Sequence, residues 1–187
     1  RKLRAGSFLV NRSVSLVTIS HILTQENGAA VLDRVTIPEG FQLTQIGKRL
    51  SKKGLCDYEE FIMFISKSAK QKFINKYTFL NQNPTSSLEG YLFPDTYFFA
   101  KNTSLELIID TMLAQFERKV VPLYEQAVKN EQSKAKKYNL HQVLTMASII
   151  QKESRHIEEM PLISSVFYNR LAKPMPLAAD PTVVYAL

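Results

Sequence analysis

Leu105, Ile108, Ile109, Met112, Phe116 and Val120 recur at intervals of three and four, the period of one face of an α-helix. Asn102 or Thr103 stands where a helix N-cap is needed, so the spacing predicts a long helix from about residue 104. An apolar stripe of that length is only stable when buried, which commits the chain to a packed core around this helix. Composition permits it. At 187 residues, 45% hydrophobic and 10% aromatic, the chain suffices for one domain, or for a small module joined to a larger one.

The other elements are shorter. Arg34 to Leu55 predicts a short strand, a Pro-Glu-Gly turn, a helix with apolar Leu43, Ile46 and Leu50, and a stop at Gly54. A second helix follows from Asp57. Upstream, Gly6 to Gly28 predicts strand then helix, closed by Asn27-Gly28. Polar turn formers cluster from Asn81 to Ser87 and make the best boundary, giving modules 1–80 and 81–187. Beyond the long helix, another is capped near Asn139 and carries Leu140, Val143, Leu144, Ala147, Ile150 and Glu153. Pro161 suits the first turn of the next. The fold class expected is α+β: a small β/α module, then a mainly helical domain with a few strands.

Charge is unevenly placed. Residues 1–78 hold 13 Lys and Arg against 6 Asp and Glu, whereas residues 79–187 hold 11 of each, so the whole net charge of +7 lies in the first part. Clusters at Lys48, Arg49, Lys52 and Lys53, and at Lys67, Lys70, Lys72 and Lys76, suit a polyanion or an anionic membrane surface; the plainer alternative is a solvated basic face. No nucleic-acid-binding motif accompanies the charge. The apolar run Phe61 to Ile65 falls far short of the roughly 18 residues of a membrane span. With no initiator methionine or leader pattern, any signal or anchor is expected outside these residues. Cys56 is alone, and His21, His141 and His156 show no ligand spacing, so no metal or cofactor is expected. Nucleophile-elbow, Walker and dinucleotide motifs are missing, which leaves nucleophilic hydrolases, nucleotide enzymes and dehydrogenases without support.

Two stretches carry candidate chemistry. In "ASIIQKES", Glu153 follows Ile150 and Ile149 by three and four residues, which places it beside them on a helix. Partial burial there raises a carboxyl's pKa, as a general acid for glycosidic cleavage requires. Its structural alternative is an exposed helix-end glutamate, or one paired with Arg155 or His156. "LEGYLFPDTYFF" sets Glu89 and Asp95 among Tyr91, Phe93, Tyr97 and Phe98, either a carbohydrate groove or a packed irregular loop.

These two stretches, followed by "VFYNRLAKPMPLAADPTVVYAL", together resemble the endolytic murein transglycosylases of the MltG/YceG-like family. "AGSFLV", "ILTQENG" and "VTIPEGFQLTQIGKRLSKKGL" are similar to that family's LysM-like N-terminal part. The resemblance implies cleavage of peptidoglycan between N-acetylmuramic acid and N-acetylglucosamine within the strand, leaving 1,6-anhydro ends. Glu153 would be the catalytic acid and then base, and Glu89, Tyr91, Asp95, Tyr97, Asn169, Asp180 and Thr182 would meet the substrate. Gln151, Ala178 and Ala179 depart from the family pattern, and the family continues past the point where Leu187 stands. Glycan strands and the cell-wall synthesis machinery are the implied partners. The implied setting is a single-pass anchor in the bacterial inner membrane, with the catalytic part facing the periplasm or exterior. Two rival functions are a non-catalytic glycan-binding module and a two-carboxylate glycoside hydrolase pairing Glu153 with Asp95 or Asp180.

Overall fold

Strand β1, Leu32–Thr36, pairs antiparallel with β2, Thr96–Ala100, in a register running from Leu32 opposite Ala100 to Thr36 opposite Thr96. The computed structural model describes Ile19, residues 32–173 and residues 175–186; the strand-then-helix expectation for Gly6 to Gly28 lies outside those residues apart from Ile19. The chain divides into two compact units, one of residues up to Leu80 with Thr85–Lys119, the other of Asn81–Pro84 with Val120–Leu187. The described residues are mainly helical with one two-stranded sheet, an α+β arrangement.

In the first unit, Gly40 takes a positive φ of 72° in the predicted turn, and helix α1 follows, Leu43–Lys52. It buries Leu43, Ile46, Gly47 and Leu50. Gly54, at φ 67°, ends it: Leu55 N donates to Leu50 O and Gly54 N to Ser51 O, the paired bonds of a Schellman turn. Helix α2, Tyr58–Lys67, starts at Asp57, whose carboxylate accepts from Glu60 N at 3.0 Å. Where α1 and α2 meet, a Cβ at Gly47 would stand 2.6 Å from Cδ1 of the fully buried Phe61. That atom lies at the base of a packed ring and cannot swing aside. Gly47→Ala is therefore expected to lower stability by about 1 kcal/mol net, overpacking of about 1–3 kcal/mol outweighing the helix propensity gained. Urea unfolding checks this; an unchanged midpoint would mean the two helices part freely.

Helix α3, Ala69–Phe73, and a 3-10 turn, Thr78–Gln82, lead to the aromatic core. The long helix α4, Leu105–Lys119, buries Ile108, Ile109, Met112, Leu113 and Phe116, much of the predicted stripe. Ser104 rather than Asn102 or Thr103 accepts from its first turn, at Leu107 N, while Thr103 is buried; Val120 falls just past the helix end. Phe73, Tyr77, Phe79, Tyr91 and Phe116 form a run of ring contacts with centroids 5.0 to 6.3 Å apart. Part of the basic excess is neutralised here. Lys72 pairs with Glu106, and Lys76 with Asp110 at 2.5 Å.

The second unit holds α5, Val121–Lys129, a 3-10 turn Lys134–Lys137, α6, Leu140–Glu153, a 3-10 turn Ile157–Glu159, α7, Met160–Leu171, and α8, Asp180–Ala186. Asn139 caps α6 as predicted, accepting from Gln142 N at 2.9 Å while Gln142 Oε1 accepts from Asn139 N at 3.0 Å. Gln82 adds a third tie, accepting from Leu140 N at 2.7 Å. Pro161 lies in the first turn of α7. The core is Met146, Ile150, Phe167 and Ala179. Among the described residues no helix is long and apolar enough to cross a membrane.

Candidate active site

Gln142, Met146, Ile149 and Glu153 succeed one another along α6 at steps of four, three and four, and so share one face. The first three, with Thr145, form one wall of a pocket of about 230 Å³. Its other walls are Tyr168 and Leu171 of α7, with Tyr138 and Leu177 from the flanking segments. The Tyr138 and Tyr168 rings lie 5.4 Å apart, tilted at 45°. Burial, and then the neighbouring Tyr138, push the Tyr168 hydroxyl above its usual pKa.

Glu153 is the last residue of α6 and is exposed, whereas Ile150 is buried and Ile149 half-buried. The partial burial expected for it is thus absent. A helix-end residue has no following turn to flank it, and the backbone leaves the helix at Ser154, whose ψ is 137°. Neither Arg155 nor His156 forms an ion pair with it among the described residues. The buried face of α6 is also turned from the one expected: Leu140, Met146 and Ile150 are buried, Val143 and Leu144 half-buried, and Ala147 exposed.

The aromatic stretch folds in the first unit, largely inward. Tyr91 is fully buried between Phe79 and Phe116, and burial pushes its hydroxyl up to about 12. Tyr97 is buried, stacked on Phe99, and donates to Phe93 O at 2.6 Å; burial and then the Asp95 charge raise its pKa. Of the four rings offered to a sugar in the sequence, Tyr91 and Tyr97 are therefore core residues, Tyr91 through its ring contacts with Phe79 and Phe116 and Tyr97 because β2 pairs with β1 and turns alternate side chains inward, while Phe93 and Phe98 are half-buried. Asp95 is half-buried, one oxygen accepting from Thr96 N at 2.7 Å and the other from Gln115 Nε2.

Glu89 accepts from Leu43 N through both oxygens at 3.2 Å and so holds the start of α1. Burial raises its pKa above 4.5, against the opposing pull of the Leu43 and Gly90 N–H groups. An acid with a raised folded-state pKa stabilises fully below its unfolded value, and that contribution is lost as pH rises through the folded value. Glu89→Gln keeps an acceptor for Leu43 N and carries no charge. Its stability relative to wild type is therefore expected to improve as pH rises from 4 to 8, whereas Glu89→Ala loses about 1–3 kcal/mol by orphaning that N–H. Urea midpoints at both pH values decide; a pH-independent difference for Glu89→Gln would show that the carboxyl is not destabilised by burial.

The remaining sequence candidates lie in the second unit. Asn169 is exposed and accepts from Lys134 Nζ at 3.2 Å, beside the pocket-wall ring of Tyr168, over which Lys134 Nζ lies at 5.8 Å. Asp180 and Thr182 are exposed in the first turn of α8, and Thr182 Oγ1 donates to Ala179 O at 2.7 Å. The structure thus gathers Glu153, Asn169, Asp180 and Thr182 in the second unit, and Glu89, Tyr91, Asp95 and Tyr97 in the first. Pocket residues Tyr138, Gln142 and Thr145 were not anticipated. Their one visible signal was the step of four from Gln142 to Met146. Among the described residues no group of three or more His, Cys, Asp or Glu is placed to hold a metal ion. Burial, then Glu60 and Asp57, push the Cys56 thiol up to about 11, which disfavours its nucleophilic form.

The model of the YceG-like family matches residues 1–187. An endolytic murein transglycosylase of Bacillus subtilis is 39% identical over 193 residues, covering 98% of this chain and 51% of its own. One of Streptococcus pneumoniae is 34% identical over 203 residues, covering 98% and 35%. The crystal structure of a yceG-like protein of Listeria monocytogenes superposes with a TM-score of 0.73 at 32% identity, over 98% of this chain and 61% of that one. The chain spans about half the length of the Bacillus relative and about a third of the Streptococcus one. With the family matched from end to end and the second unit built around α6, this chain belongs to the YceG-like family.

Proposed function

We propose that this chain forms part of an endolytic peptidoglycan lytic transglycosylase in which Glu153 is the catalytic acid and then base. The observation that carries the proposal is the exposed carboxylate at the end of the α6 face that lines the pocket. Relatives named endolytic murein transglycosylases supply the substrate class. Glu153 gives its proton to the glycosidic oxygen as the bond from muramic acid C1 breaks. The carboxylate so formed takes the proton of the muramyl 6-hydroxyl as O6 closes on C1, which restores the acid and consumes no water. Exposure leaves the group reachable by a strand, and the bound strand then supplies the cover that excludes solvent.

Asp95 is a poor second acid, because both its oxygens are engaged within the first unit. In the intact protein the first unit, with the LysM-like likeness of the N-terminal part, would help hold glycan, and the enzyme would sit at the inner membrane with this part outside the cytoplasm, near the wall-synthesis machinery. Mass analysis of isolated glycan strands digested by the intact protein tests the reaction. Products ending in 1,6-anhydromuramic acid, one water lighter than reducing ends, are expected. Reducing ends alone would mean a hydrolase using Glu153 with a second acid such as Asp180, and uncut strands a binding module.

A further inference from the structure

The pocket whose α6 wall ends at Ile149, one turn before Glu153, has a chemistry that the cleavage step does not use. Its hydrogen-bonding rim comes from Gln142 and Thr145, each already half committed. Gln142 Oε1 accepts from Asn139 N at 3.0 Å, which leaves its NH₂ as the part free to meet a ligand. Thr145 donates its hydroxyl proton to His141 O at 2.9 Å, which leaves its oxygen as an acceptor. One donor and one acceptor, a step of three apart on one helix, stand over an apolar floor that includes Met146 and Ile149. Tyr138 and Tyr168 form an aromatic wall.

That set complements an acetamido group on a pyranose ring: the donor for its carbonyl, the acceptor for its N–H, the apolar floor for its methyl, and the tyrosines for the sugar face. At about 230 Å³ the pocket is below the roughly 300–1,000 Å³ of drug-sized sites, room for a single ring. Along the helix axis, Ile149 lies about 6 Å and Gln142 about 16 Å from Glu153, at about 1.5 Å per residue.

We infer that this pocket is a subsite for an N-acetylated saccharide of the glycan, about one to three units from the scissile bond, read through Gln142 and Thr145. The inference rests on the proposed glycan substrate but not on the reaction. It predicts that the N-acetyl group, and not only the glycan backbone, is recognised on α6. A strand lacking acetyl groups would leave both polar side chains unmatched, a penalty of about tenfold or more.

The test is binding, measured in the intact protein carrying Glu153→Gln so that no cleavage intervenes. The probes are a tetramer of N-acetylglucosamine and the matching uncharged tetramer of glucose, which lacks the acetamido groups. The parent is expected to prefer the acetylated probe about tenfold or more. Gln142→Glu keeps the cap oxygen for Asn139 N but removes the donor, and Thr145→Val keeps the shape but removes the acceptor; each should cut the preference to about threefold or less. Both residues are exposed, and unchanged unfolding midpoints would confirm that the fold survives. A parent that binds the two probes alike, or a preference that neither variant reduces, overturns the subsite. Absence of anhydro ends in wild-type digests would instead strike the reaction and leave this measurement standing.

Discussion

Glu153→Gln in the intact protein is expected to abolish the release of 1,6-anhydro ends while leaving folding and glycan binding unchanged. Glutamine has the same volume and a hydrogen-bonding head but neither gives nor takes the proton. The side chain is exposed at a helix end, so the substitution disturbs no core and costs well under 1 kcal/mol of stability. General acid or base assistance is worth about 10² to 10⁴-fold, and one residue holding both roles places the loss at the top of that range or beyond. The measurement is the rate of anhydromuramic acid production from isolated strands, with the unfolding midpoint and glycan affinity followed in parallel. Equal stability, equal binding and no product is the expected set. A variant that still forms anhydro ends near the wild-type rate would reduce Glu153 to an ordinary solvated helix-end residue, and the mechanism would have to be rebuilt on other groups.

Local signals carried the helices well. The cap at Asn139, the helix that follows from Asp57, the stop at Gly54 and the proline opening α7 all depend on a few adjacent residues, and all stand as the sequence predicts. What local spacing cannot convey is pairing across distance. Thr96–Ala100 looked like an aromatic loop because its partner, Leu32–Thr36, lies 60 or more residues earlier; once paired, the strand turns Tyr97 and Phe99 into the core. A separation of 34 residues likewise hides the pairing of Lys72 and Lys76 with Glu106 and Asp110, so a run of charge that reads as a ligand surface is partly engaged in ion pairs of the chain itself. For α6 the ambiguity was rotational. With apolar residues nearly all round, either of two stripes fits a helix, and packing against Phe167 and Ala179 chose the one containing Met146. Glu153 was legible as a position, through motif resemblance, and its exposure at the helix end is the structural alternative that the spacing had left open.

Tyr91 separates a scaffold from a sugar platform by a second large effect. It has no exposed surface, with Phe79 stacked at 6.1 Å and Phe116 tilted at 5.3 Å from its ring. Truncation to alanine removes a large buried ring and leaves a cavity that the packed rings of Phe79 and Phe116 cannot close, so Tyr91→Ala is expected to cost about 3–5 kcal/mol. Against a typical total of about 5–15 kcal/mol, that is enough to leave the first unit marginal at 37 °C. Tyr91→Phe keeps the ring and its contacts and removes only the hydroxyl, a change of about 1 kcal/mol. If Tyr91 serves packing alone, the Phe variant keeps wild-type KM and kcat, and the Ala variant loses activity only in step with its fraction folded, as urea and thermal unfolding would show. A Tyr91→Ala protein with an unchanged midpoint and a raised KM for glycan would reverse the assignment. The ring would then have to reach substrate through an opening of the first unit, and the groove first suggested by "LEGYLFPDTYFF" would be restored.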